Sequence, residues 1–115
     1  MSLVRHHFRS DVLSLGTSMS VLLPDADPGP EGYATLYLLH GLTDDDTAWV
    51  RYSGIERYAA ARGLAVIMPQ VHRSFYCDEA HGNRYWTFLT QELPTLVHRT
   101  YPLTTRRDRT FVAGL

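Results

Sequence analysis

Two short stretches of this 115-residue chain carry residue types and spacings suited to acyl-transfer chemistry. The first is Leu36-Tyr37-Leu38-Leu39-His40-Gly41-Leu42-Thr43, an apolar run ending in His-Gly. Such a strand delivers a backbone turn at the carboxyl end of a sheet, where open α/β sheets place their ligands. Glycine at the turn lets the main chain approach a reacting carbonyl, and the next amide, that of Leu42, points at the developing oxyanion. One such donor contributes about 3–4 kcal/mol of transition-state stabilisation. His40 and Gly41 would support it from beneath. The second stretch is Thr110-Phe111-Val112-Ala113-Gly114-Leu115, a strand ending in Gly-x. That is the first half of the G-x-S-x-G turn on which a nucleophilic serine sits. If Gly114 is its first glycine, the serine is the residue immediately after Leu115. Each stretch alone has a plainer reading, Gly41 as a tight turn over a packed His40 and Gly114 as a strand end. Their order and spacing together favour the chemistry.

Other reactive side chains point less clearly. Asp44-Asp45-Asp46 could hold a hard cation, but a solvated loop in which Asp46 caps the turn carrying Trp49 explains it better. His72, Cys77 and His81 suggest zinc, yet a structural tetrahedral site needs four ligands in a tighter pattern. Cys77 as a Cys–His nucleophile competes poorly with the oxyanion loop and reads as a small, partly buried residue. No metal and no cofactor are expected. Trp49, Tyr76, Tyr85 and Trp86 are candidates for the substrate-pocket wall. Core packing is their alternative, favoured for Trp86, which falls on an apolar helix stripe.

These residues need a scaffold. Partial alternation from Val4 to Val12 and again from Ser18 to Leu23 predicts a β-hairpin, with Gly16 at or near the turn and Pro24 closing the second strand. The stretch from Asp25 to Gly32 is a surface loop within one domain. Thr35–Leu39 and Leu64–Met68 are continuous apolar runs, as in strands buried on both faces. Between them Ile55–Arg62 is helical, stopped by Gly63 as a left-handed C-terminal cap. A further helix begins after Asn83, its face formed by Trp86, Leu89, Leu93, Leu96 and Val97, with Pro94 kinking or dividing it. Thr110–Ala113 starts a third parallel strand. The expectation is a β-hairpin followed by βαβ units of a mostly parallel sheet, with residues 1–115 forming the N-terminal part of a single α/β domain.

At 44% hydrophobic the chain can bury a modest core. Eleven basic residues against twelve acidic leave a net charge of −1, no basis for gripping a phosphate backbone, so nucleic-acid binding is not expected. All the basic residues are arginine, which excludes a lysine Schiff base or P-loop lysine in this stretch. No run approaches the roughly 20 apolar residues of a membrane span. The opening residues lack a signal-peptide core, and Cys77 has no internal disulfide partner, so a cytoplasmic protein without membrane attachment is expected.

The chain resembles the esterase family that includes S-formylglutathione hydrolase (esterase D) and the small tributyrin-type carboxylesterases. The resemblance rests on Leu38-Leu39-His40-Gly41-Leu42, Trp49, Ile55-Glu56, Val66-Ile67-Met68-Pro69, Tyr76, Tyr85-Trp86, Glu92-Leu93-Pro94 and Phe111-Val112-Ala113-Gly114-Leu115, from about Phe8 onward. It implies an α/β-hydrolase fold and a serine carboxylesterase that cleaves short-chain esters through an acyl-enzyme. It also implies that Ser-Met-Gly-Gly follows Leu115, with the triad Asp and His further on. The chain would then stop at the nucleophile turn, as a fragment, a truncation or a chain interrupted at a modified serine. Two alternatives stay open: a thioesterase or acyltransferase of the S-formylglutathione type, and a non-catalytic binding protein on the same fold. The partner is a small-molecule ester, with homo-oligomerisation left open.

Overall fold

Strands β1 (Ser2–Ser10) and β2 (Leu15–Leu23) form an antiparallel hairpin in the computed structural model, which describes residues 1–80 and 82–115. Its turn occupies residues 11–14, with Ser14 at φ 56°, whereas Gly16 lies inside β2 opposite Arg9. Gly16 thus lies near the turn, as expected, but inside the strand, two residues past Ser14. Side chains do the work of the turn instead: Ser10 Oγ accepts the Leu13 N–H at 3.0 Å. Glu92 Oε2, from a distant helix, accepts the amides of Asp11 and Val12 at 3.0 and 3.1 Å.

After a loop come β3 (Thr35–Leu39), the short helix α1 (Ala48–Tyr52), α2 (Ile55–Arg62) and β4 (Ala65–Pro69). Gly63 ends α2 at φ 62° and donates its N–H to the Ala59 and Ala60 carbonyls, the glycine cap expected there. Helix α3 covers residues 85–100 and leads to β5 (Thr110–Gly114).

Pro94 divides the helical pattern, as the sequence suggested, standing at the start of the segment Leu93–Thr100. The helix passes through a π turn over Phe88–Glu92, in which the Leu93 N–H reaches the Phe88 carbonyl, directly before the residue that has no N–H. The extra residue rotates the two halves of the helix relative to each other. The buried face becomes Tyr85, Phe88, Leu93 and Val97, and Trp86 turns outward to 59% exposure. A single 3.6-residue stripe containing Trp86 is therefore incorrect.

The sheet order is β1-β2-β4-β3-β5, antiparallel through the hairpin and its contact with β4, parallel from β4 through β3 to β5. Every residue of β4 is buried, as expected of a central strand covered on both faces. Ala65 and Ile67 pack with Tyr85, Phe88, Leu93 and Val97 of α3. Val66 and Met68 pack on the opposite face with Ile55 and Ala59 of α2 and with Trp49. The chain leaving β3 thus goes to one face and the chain leaving β4 to the other. That divergence opens a crevice at the carboxyl ends of these strands.

Candidate active site

His40 stands at that crevice, 2% exposed, and ties its two sides together. Its Nδ1 lies 2.7 Å from the Gly41 carbonyl, which only accepts, and its Nε2 takes the Val71 N–H at 3.1 Å. The Gly41 carbonyl requires a hydrogen on Nδ1, while Nε2 stands between a donor, the Val71 N–H, and an acceptor, Gln70 Oε1. Gln70 Oε1, 2.9 Å from Nε2, accepts the His72 N–H at 3.0 Å. The imidazole therefore holds the segment after β3 against the segment after β4.

From His40 the chain makes a tight turn closed by the Asp44 N–H on the Gly41 carbonyl at 3.1 Å. Leu42 lies in this turn, 44% exposed, and its N–H meets no acceptor among the described residues. Asp45 caps the next turn, taking the Thr47 N–H at 2.8 Å and the Thr47 hydroxyl, which holds its carboxyl below the ordinary Asp range. Asp46, expected as that cap and as solvated, is 4% exposed and faces the hairpin. The buried carboxylate accepts from Arg5 and Ser18, so the loop is solvated only in part.

Leu42 and Gly41 border a cavity of about 280 Å³ with His72, Phe75, Tyr76 and Leu115. The loops after β3 and β4 and the end of β5 meet there. Tyr76 donates its hydroxyl to the His40 carbonyl at 2.6 Å and lies 3.4 Å from the Leu115 carbonyl, linking the β3 and β5 ends; burial raises its phenol pKa. His72, Phe75 and Tyr76 have φ values of 49°, 51° and 61°. Three non-glycine residues in the left-handed region within five positions mark a wall held in a costly backbone conformation. Nothing in the sequence signalled Phe75 or this strain.

The remaining aromatic candidates occupy other places. Trp49 donates Nε1–H to the Leu39 carbonyl at 3.0 Å and packs on the α2 side of the sheet. Tyr85 is buried in the opposite core, edge-on to His72 and Phe88, and burial raises its phenol pKa. Trp86 borders a separate apolar groove of about 580 Å³ that runs along β5 past Leu39, Tyr76, Leu89 and Val112. Tyr76 is common to the groove and the smaller cavity. Cys77, expected to be partly buried, is exposed, its Sγ 3.2 Å from the Phe75 carbonyl. Among the described residues no group of three His, Cys, Asp or Glu side chains is placed to hold a metal. His81 of the weighed zinc set lies outside the described residues. No described helix is long and apolar enough to cross a membrane.

Comparison with known proteins adds independent information. Residues 10–115 match the family model described as "Putative esterase". An acetyl esterase of Caldicellulosiruptor saccharolyticus is 27% identical over 124 residues, covering 100% of this chain and 47% of that protein. Among solved structures, the substrate-bound fluorophosphonate-binding serine hydrolase FphF of Staphylococcus aureus superposes with a TM-score of 0.93 at 35% identity. The match covers 98% of this chain and 46% of that one. The S-formylglutathione hydrolase FrmB of the same organism gives 0.87 and 35%, with the same coverage. The chain thus spans about half the length of the relatives it matches.

Proposed function

The chain belongs to the esterase family and carries the α/β-hydrolase sheet, and from that premise we propose that the full-length protein is a serine carboxylesterase acting on short-chain esters. One observation carries the reading: Leu42, whose N–H meets no acceptor among the described residues, and Leu115, the residue directly after β5, border the same cavity. A serine following Leu115 attacks the ester carbonyl, and its proton passes to a distal histidine oriented by an acidic residue. The Leu42 N–H and the amide after the serine hold the oxyanion, with His40 and Gly41 supporting the turn. Collapse of that intermediate expels the alcohol, protonated by the histidine, and leaves an acyl-serine that water hydrolyses. No cofactor takes part. Tyr76 forms part of the pocket wall, the partner is a small-molecule ester, and the compartment is the cytoplasm.

The test is hydrolysis of p-nitrophenyl acetate and butyrate by the full-length gene product, before and after treatment with a fluorophosphonate. The expected result is turnover abolished by the reagent, with the adduct on the residue following Leu115. No turnover at any acyl length, and no adduct, would overturn the reading in favour of a binding protein. A thioester assayed in parallel decides between ester and thioester preference.

A further inference from the structure

The turn that carries Leu42 is exposed, and most of its polar contacts are local. The Asp44 N–H bonds the Gly41 carbonyl, and Asp45 bonds Thr47. Between Gly41 and Ala48, the described polar side-chain contacts that reach another part of the fold all run through Asp46. Its Oδ2 accepts from Arg5 Nη1 at 2.8 Å and from Ser18 Oγ at 2.9 Å, and the same Arg5 nitrogen donates to Ser20 Oγ at 2.6 Å. Strand register explains the meeting. Arg5 pairs with Ser20 and His7 with Ser18, so Arg5, Ser18 and Ser20 share one face of the hairpin.

Burying a carboxylate is costly, and a buried ion pair returns little net stability over an apolar substitute. Its best-attested use is to fix one arrangement among several. A solvated Asp at position 46 would have avoided the desolvation cost, yet here the carboxylate is 4% exposed while its Arg partner is 38% exposed.

We infer that Asp46, held by Arg5 and Ser18, is a positioning residue that sets where the Leu42 amide stands relative to the substrate carbonyl. The inference rests on the esterase reading. The edge hairpin becomes part of the catalytic apparatus at one remove, because it fixes a loop four residues from the oxyanion donor. A displacement of about 1 Å at a reacting group lowers rates on the order of a hundredfold, so a modest release of this loop is enough to matter.

The experiment uses the full-length protein and the variants Asp46→Ala, Asp46→Asn and Arg5→Gln. Asp46→Ala is expected to lower kcat by about tenfold or more with KM within about twofold, the pattern of an interaction expressed in the transition state. Affinity for a trifluoromethyl ketone, whose serine adduct carries an oxyanion, should fall by a similar factor. Rates are expressed per active site titrated with fluorophosphonate, which removes any loss due to misfolded protein. Asp46→Asn keeps an acceptor for Ser18 and Arg5 and should recover most of kcat. If Asp46→Ala does not fold, Arg5→Gln carries the same expectation. Unchanged kcat and ketone affinity per titrated site in a folded variant overturn the inference while leaving the esterase reading intact. A wild-type protein without turnover overturns that reading, and with it the purpose assigned to Asp46.

Discussion

Gly114 of β5 lies so close to Leu39 of β3 that a Cβ on the glycine would stand 2.9 Å from both the Cβ and the carbonyl oxygen of Leu39. The two are register partners in the parallel pair, and each ends its strand immediately before a proposed catalytic segment. At Gly41 the same addition comes closest to Asp44 Oδ2 at 3.1 Å, the end of a side chain that can move, with the Leu115 side chain in ordinary contact at 3.7 Å. The two glycines therefore differ in kind. Gly114→Ala is expected to destabilise the full-length protein by about 1–3 kcal/mol through overpacking against main chain, and to lower activity by displacing the β5 end. Gly41→Ala should unfold close to wild type. Urea titrations of both variants check the contrast, and equal midpoints would remove the close approach as the reason for Gly114.

His40 offers a different kind of test, since its role is satisfaction of polar groups. His40→Ala leaves the buried Val71 N–H without an acceptor and frees the Gly41 carbonyl. The unpaired amide alone costs about 1–3 kcal/mol. The expected outcome is a lower melting temperature together with lower kcat, because the segments after β3 and β4 come apart at the site. A variant with wild-type stability would mean that Gln70 replaces the imidazole and that the bridge is dispensable.

Much of this arrangement was legible in the sequence. The runs at Thr35–Leu39 and Leu64–Met68 announced themselves as strands by lacking alternation, although only β4 is buried along its whole length. Leu36, Tyr37 and Leu39 of β3 are half-buried. Gly63 marked its own cap. The His-Gly turn at the end of β3 was legible for the same reason, since local chemistry dictates it. What escaped depends on partners remote in sequence. Asp46 looked solvated because Arg5 and Ser18 lie 41 and 28 residues away. Trp86 looked buried because a π turn cannot be counted in a 3.6-residue pattern, although Pro94 was the signal that something had to give. Gly16 marks the neighbourhood of the hairpin turn, but not the residue with positive φ. Ser14 adopts that φ, and Glu92 bonds the amides beside it.

That last contact gives a third prediction. Glu92 accepts the Asp11 and Val12 amides through one oxygen and the Ser10 hydroxyl through the other, joining the hairpin turn to the middle of α3. Glu92→Ala is expected to lower stability by about 1–3 kcal/mol, the range for leaving such donors unsatisfied. Glu92→Gln should cost less. Its carbonyl can still receive both amides, and its NH2 can donate to Ser10 Oγ. Chemical denaturation of the two variants measures the difference, and hydrogen exchange at Asp11 and Val12 localises it. If both variants lose equally, the carboxylate charge rather than the bonding geometry holds the turn.

Tyr37 presents the opposite situation, a buried group with nothing to bond. Its hydroxyl has no partner among the described residues, and burial pushes the phenol pKa up to about 12. Removing an unpaired buried hydroxyl relieves a desolvation cost without breaking a bond, so Tyr37→Phe should be as stable as wild type or more so at pH 8. The pH dependence has a definite sign. In the unfolded chain the phenol titrates near its ordinary pKa of about 10. Between that value and about 12 the unfolded state loses the proton that the folded state still holds, so unfolding is favoured as pH rises. Wild type should lose stability across this window relative to Tyr37→Phe, and the gap between their urea midpoints should widen from pH 10 upward. A constant gap would show that the phenol ionises as readily in the fold as out of it. A Phe variant clearly weaker at pH 8 would show that the hydroxyl is bonded in the full-length protein.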